Sequence, residues 1–311
     1  MKLDEEILTV LRVRGPATDL SEMRAGRDWH AIHELLDLMH GPPAPPGRGV
    51  TVDRYNVPAE DGVPLPLRIY RKAGLYPRAV LLYVHGAGLL DRELDDCDTM
   101  CRRYALGADV AVAAVGYRPA PAGAEVGPVE DCHAALAWLA EYAADLGFDP
   151  ARIGIAGDSA GGALAAGTAL LARDAGGPEL ALQMLVYPML DDRGTAPCAS
   201  RGLGTQWTHE LNDLAWRLIL GGADREREAT PYQVPARAKD LSGLPRTYLE
   251  VGELDIVRDQ TLDFAERLTA AHVPVELHVR PGAAHGFDLC APRSDLVREA
   301  IADRLRAMSA L

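Results

Sequence analysis

Gly157-Asp158-Ser159-Ala160-Gly161, set directly behind the apolar run Ile153-Gly154-Ile155-Ala156, decides the fold of this 311-residue chain. It reads as a strand that ends in a sharp turn with a serine at its tip, followed by a helix of small residues over 162–171. That is the G-x-S-x-G spacing of a nucleophile elbow. Glycine is needed two residues either side of the serine because the turn is tight and the flanking backbone passes where a Cβ would stand. The serine is then held at the C-terminal edge of a sheet.

A serine hydroxyl needs a base to take its proton, and the base needs an acid to orient it. In the chain order that goes with this elbow, Asp or Glu comes after the serine, then His. The apolar run 247–251 ends in Gly252-Glu253-Leu254-Asp255, and the run 275–279 ends in Arg280-Pro281-Gly282-Ala283-Ala284-His285-Gly286-Phe287. Both candidates fall just past a predicted strand. Ser159 is assigned as nucleophile, His285 as base and acid, and Asp255 as the orienter of His285.

The other histidines fit less well. His30, His33 and His40 lie in the N-terminal segment, and His133, His209 and His272 lie in helical patterns. His278 sits inside a strand-like run, and His85 precedes the serine. For the acid, Glu253 and Asp259 compete with Asp255. Glu253 reaches the histidine if the loop folds otherwise, and Asp259 is placed to cap the helix that begins near it.

Acyl transfer also needs preorganised N–H groups for the developing oxyanion. The residue after the nucleophile, Ala160, supplies one. The small-residue loop His85-Gly86-Ala87-Gly88, behind the strand-like run 79–84, is placed to supply others.

These segments together resemble the bacterial hormone-sensitive-lipase-like carboxylesterases, a branch of the α/β-hydrolases. The resemblance is carried in order by His85-Gly86-Ala87-Gly88, Tyr117-Arg118-Pro119-Ala120-Pro121, Gly157-Asp158-Ser159-Ala160-Gly161-Gly162, Asp255-Ile256-Val257-Arg258-Asp259 and His285-Gly286-Phe287. Tyr187-Pro188-Met189-Leu190-Asp191-Asp192-Arg193 resembles a segment of one subgroup. The resemblance implies the triad above, oxyanion donors at Ala87, Gly88 and Ala160, and a two-part helical cap. It leaves room for a homodimer through an edge strand or a late helix. Ala87 stands where the family usually has glycine; alanine keeps the N–H, and its methyl narrows the acyl side. Pro119 and Ala122 stand where leucine and glutamate are usual. Asp158 matches the family elbow and reads as structural.

The rest of the chain agrees with an α/β-hydrolase fold: a mostly parallel central sheet flanked by helices, with a helical cap. Apolar positions recur at helical spacing over 18–40, and the proline-rich stretch 41–47 breaks any helix. Strands are predicted over 50–57 and 65–70 around Glu60-Asp61-Gly62. From Ala79 onward strands alternate with helices, which predicts parallel pairing. One of those helices is predicted over 129–146, with Leu136, Leu139 and Tyr142 on its apolar side. The alternation stops between 187 and 247, where a helix over 209–220 and a charged run at 224–228 read as cap and solvated face. The expected division is 1–47 (N-terminal cap and linker), 48–189 (catalytic core), 190–240 (cap insertion) and 241–311 (core again). Leu89, Leu90, Trp207 and Trp216 are candidates for an apolar wall over the site.

Composition narrows the function classes. A net charge of −13 argues against nucleic acid and anionic membrane surfaces as partners. No apolar run approaches a membrane span, and Met1-Lys2-Leu3-Asp4-Glu5-Glu6 lacks the plan of a secretion signal, so no membrane anchor and a cytoplasmic setting are expected. Five cysteines, Cys97, Cys101, Cys132, Cys198 and Cys290, form no metal-ligand grouping and read as reduced thiols. The expected chemistry needs no metal and no organic cofactor. The expected activity is hydrolysis of small uncharged esters with short to medium acyl chains. Amides, carbamates or thioesters share the same oxyanion chemistry, and a non-catalytic receptor is the reading from another class.

Overall fold

The computed structural model describes residues 4–6, 49–86, 94–119, 127–193, 207–220 and 229–311. The predicted helices over 18–40, the linker 41–47, Ala87, Gly88, Leu89, Leu90, Ala122, Cys198 and the charged run 224–228 lie outside the described residues.

Two strands, β1 (Val50–Pro58) and β2 (Pro64–Lys72), form the antiparallel hairpin predicted around Glu60-Asp61-Gly62. Gly62 makes the turn at φ +81°, a conformation open to a residue without a Cβ. Strand and helix then alternate through β3 (Val80–Val84), α1 (Leu94–Gly107), β4 (Ala111–Val115), α2 (Gly127–Glu141), β5 (Ile153–Asp158), α3 (Ala160–Asp174) and β6 (Leu182–Val186). After α4 (His209–Ile219) follow β7 (Thr247–Gly252), α5 (Arg258–Ala270), β8 (Val275–Arg280), the one-turn α6 (Phe287–Cys290) and α7 (Asp295–Met308).

The eight strands form one sheet in the order β1-β2-β4-β3-β5-β6-β7-β8. The β1–β2 and β2–β4 pairs are antiparallel, and every pair from β4–β3 to β7–β8 is parallel. All five residues of β3, β4 and β6 are buried, as are all six of β7. Parallel strands covered by helices on both faces are mostly apolar, which is why β3 and β4 read as unbroken apolar runs, while β6 and β7 bury Gln183, Thr247 and Glu250 among their apolar residues. Each fully buried Val or Leu there contributes about 1.5–3 kcal/mol relative to exposure.

Register decides where the site forms. Val84 at the end of β3 pairs with Gly157 of β5, and Asp158 pairs with Val186 of β6. The C-terminal ends of β3, β5, β6, β7 and β8 therefore gather along one edge of the sheet. α3 lies against the sheet beneath that edge, and its small residues from Ala160 to Leu170 are all buried. A helix apolar all round belongs inside the protein.

One helix departs from its sequence pattern. α2 ends at Glu141 rather than 146, and residues 142–147 turn back, closing with Phe148 N–H on Ala143 O at 2.7 Å. Leu136 and Leu139 are buried as expected, whereas Tyr142 is 39% exposed and rests on Trp138 with ring centroids 5.1 Å apart. Among the described residues no helix is long and apolar enough to cross a membrane.

Candidate active site

Ser159 occupies the turn between β5 and α3 with φ +54° and ψ −122°. Two glycines make that turn physically open. A Cβ on Gly157 would lie 2.1 Å from Gly161 O, and one on Gly161 would lie 2.2 Å from Val84 O. Both contacts are with backbone, which cannot step aside. Gly157→Ala is therefore expected to destabilise the protein by about 3 kcal/mol, the upper end of overpacking costs. A thermal melt checks this; an unchanged midpoint would mean that the elbow yields.

The base arrives on the loop behind β8. Glu253 N–H bonds Arg280 O at 2.9 Å, Leu254 N–H bonds Ala283 O at 2.9 Å, and Gly282 N–H bonds the Glu253 carboxylate at 2.9 Å. Of the two competing acids, Glu253 thus holds the backbone of the histidine loop rather than the imidazole. Asp259 is the second residue of α5 and pairs with Arg258 at 3.1 Å. It does not cap that helix, whose N-cap position is Val257.

Asp255 is fully buried and accepts Val257 N–H at 3.0 Å, which fixes its carboxylate. His285 Nδ1 lies 2.9 Å from Asp255 Oδ2 and 3.1 Å from Oδ1, and His285 Nε2 lies 2.8 Å from Ser159 Oγ. A carboxylate on Nδ1 selects the Nδ1–H tautomer. Nε2 is then the acceptor for the serine proton. The imidazole is 4% exposed, so these contacts act with little solvent screening.

The structure thus brings Ser159, His285 and Asp255 together across 126 and 30 residues of chain. Ala160 opens α3, so its N–H is one of those that helix geometry leaves without an intrahelical acceptor. The loop entering Ala87 and Gly88 is anchored at its described end. Asp158 Oδ1 accepts Tyr83 OH at 2.6 Å and Gly86 N–H at 3.2 Å, and Tyr117 OH donates to His85 O at 2.9 Å. The His85 ring stacks on Tyr117 at 4.7 Å. Of the wall candidates, Trp207 stacks on His285 at 5.7 Å and 23°, and its indole N–H reaches Asn212 Oδ1 at 3.4 Å. Trp216 is buried in the core through α4.

Sequence reasoning gave no role to Tyr187, whose ring lies 4.9 Å from His285. Its hydroxyl donates to Asp288 Oδ1 at 2.7 Å, and Arg304 Nη1 meets Asp288 Oδ2 at 2.5 Å. Arg304 also bonds Glu250 Oε1, and Arg280 bonds Glu250 Oε2 at 2.9 Å. Glu250, Asp288 and Arg304 are each at most 2% exposed. Burial pushes the Asp288 carboxyl up, but the Arg304 charge and hydrogen bond and the Tyr187 hydroxyl together bring it below the usual carboxylate value. The spacing of Asp288, three residues after His285, was the one signal available. Among the described residues no three His, Cys, Asp or Glu side chains group so as to hold a metal ion.

Residues 81–289 match the family described as alpha/beta hydrolase fold. Esterase LipI of Mycobacterium tuberculosis is 39% identical over 209 residues, 67% of this chain and 65% of that protein. Carboxylesterase NlhH of the same organism is 38% identical over 234 residues, 72% of this chain and 71% of that protein. The aligned part thus spans about two thirds of these relatives' own length. Among solved structures, a bacterial heroin esterase superposes with a TM-score of 0.87 at 35% identity, covering 99% of this chain and 97% of that one. The chain belongs to the α/β-hydrolase family, in its hormone-sensitive-lipase-like carboxylesterase branch.

Proposed function

We propose that the protein is a serine hydrolase that cleaves carboxylic esters of short to medium acyl chains through an acyl-enzyme. Ser159 is the nucleophile, His285 the general base and acid, and Asp255 the group that orients it. The observation that carries this is the unbroken line from Ser159 Oγ through the imidazole to the Asp255 carboxylate, with contacts of 2.8 and 2.9 Å in a buried setting. The esterase names of the relatives support ester bonds as the target.

The chemistry follows from the geometry. His285 Nε2 takes the Ser159 proton as Oγ bonds to the ester carbonyl carbon, and the carbonyl electrons move to its oxygen. The N–H of Ala160 meets that oxyanion, and the family resemblance assigns the same role to Ala87 and Gly88. As the carbonyl re-forms, the alcohol leaves with the proton from Nε2. Water then repeats the sequence on the acyl-enzyme, giving up its proton to His285 and releasing the acid. Asp255 keeps the Nδ1–H in place and stabilises the imidazolium between these steps.

The acyl-length reading rests on crowding at the base, where Trp207 and Tyr187 pack on the imidazole. The cap reading assigns 1–47 and 190–240 to one cap, and its second part is supported by α4 and by Trp207 against His285. Two measurements test the function together. A fluorophosphonate probe should label the wild-type protein on the peptide containing Ser159; an unlabelled, folded protein would leave only a receptor role. A series of nitrophenyl esters from acetate to dodecanoate should give its highest kcat/KM at butyrate to hexanoate. A matched anilide turned over faster than its ester would move the assignment to amides.

A further inference from the structure

Two hydrogen bonds fix the His285 imidazole at its nitrogens, but they do not fix how far its loop stands from the elbow. One residue spans that gap. The chain on either side of Tyr187 holds both backbone groups of the nucleophile: Ser159 N–H donates to Val186 O at 2.9 Å, and Met189 N–H donates to Ser159 O at 2.9 Å. The Tyr187 ring lies against the imidazole, and its hydroxyl reaches Asp288 in α6, which follows His285 directly after Gly286. These contacts close a circuit: elbow backbone, Tyr187, Asp288, the histidine loop, and back through Nε2 to Ser159 Oγ.

The backbone of Tyr187 carries a second sign of constraint. Its φ is +35°, in the left-handed region that is unfavourable for an L-residue with a Cβ. Such a conformation persists only where its surroundings over-determine it. Here its N–H bonds Glu250 O at 2.6 Å, and its side chain is tied at the tip and packed on Phe287 at 6.0 Å. Asp288 is itself held by Arg304 and is fixed in place as the acceptor. A tyrosine that merely filled the core would need none of this agreement.

We propose that Tyr187 is a positioning residue that sets the Ser159–His285 distance through its hydroxyl bond to Asp288. This rests on the triad reading above. Tyr187→Phe keeps the ring on His285 and cuts the circuit at one bond, so the loop gains play relative to the elbow. Small misplacements of reacting groups carry large rate costs, up to about 100-fold for about 1 Å. The loss of one tether is expected to lower kcat about 10-fold, with KM changed less than about 2-fold, because no substrate contact is removed.

Tyr248→Phe is the matched control. Tyr248 OH donates to the Glu250 carboxylate at 2.6 Å in the same buried cluster, and its ring packs tilted against His278, on β8 away from the triad. Rates are normalised to active sites by burst amplitude, which removes any unfolded fraction. The proposal expects Tyr187→Phe to lose about 10-fold in both kcat and the rate of fluorophosphonate labelling, and Tyr248→Phe to stay within about 2-fold of wild type. It is overturned if Tyr187→Phe labels and turns over at the wild-type rate. It is equally overturned if Tyr248→Phe loses as much, since the effect would then be a general loosening. The wild-type protein's own labelling at Ser159 tests the triad separately, so the two failures are told apart.

Discussion

Replacing Ser159 with alanine is expected to lower kcat for nitrophenyl butyrate by about 10⁴- to 10⁶-fold, or about 5–8 kcal/mol of transition-state stabilisation. The size follows from what the hydroxyl does. In the proposed mechanism it is the atom that bonds to the carbonyl, and without it His285 can only activate water at a site shaped for a covalent route. The fold should not register the change. Alanine has the same Cβ in the same φ +54° turn, and both elbow glycines are untouched. Among the described residues the group that loses its partner is His285 Nε2, which keeps its Nδ1 anchor on Asp255. Far-UV circular dichroism and the thermal midpoint should therefore match wild type while turnover falls to the oxyanion-hole residue. A variant that still turned over at more than about a hundredth of the wild-type rate would remove Ser159 from the mechanism.

Arg304→Met carries the second large effect, on stability. It leaves Asp288 buried without its guanidinium and Glu250 with Arg280 alone, and breaking a buried pair from one side costs about 3–5 kcal/mol. For a chain of this size that is a midpoint lowered by roughly 5–15 °C. The pH dependence gives the sign. In the wild type the Asp288 carboxyl lies below its ordinary value, with Arg304 its charged partner. Its stabilising contribution is therefore complete above the unfolded value near 3.9 and is lost as pH falls through the lower folded value. Without Arg304, burial pushes that carboxyl up, so the variant binds a proton in the folded state and its penalty eases in acid. The gap between the two midpoints should be widest at neutral pH and narrow toward pH 4. A gap constant over that window would show that lost packing, not charge, causes the effect.

The candidate triad was readable in the sequence because each member is announced locally. An unbroken apolar run marks a strand buried on both faces, and the residue that ends it stands at the sheet edge. Gly157 and Gly161 show where a chain must pass without a Cβ, and Ser159 is the residue between them. Asp255 follows the fully buried β7 and His285 follows the partly exposed edge strand β8, so chain order and residue type were enough to pair them. The competing Glu253 could be set aside only from the folded loop, where it takes Gly282 N–H.

Other features had no local mark. Arg304 lies in α7, a helix of alternating charged and apolar residues in which an arginine reads as solvent-facing; it is 1% exposed. Its burial is tolerable only because folding delivers Glu250 and Asp288, 54 and 16 residues away, to opposite ends of one guanidinium. Tyr187 reads as the end of a strand, yet its backbone conformation, its bond to Asp288 and its place against the imidazole depend on β6, β7 and the histidine loop meeting. Residue order along the chain thus marked which side chains meet at the candidate site and at which edge of the sheet. The buried charges and the tether behind the base came from three-dimensional packing alone, because a charged side chain survives inside a protein only beside partners that no short stretch of sequence contains.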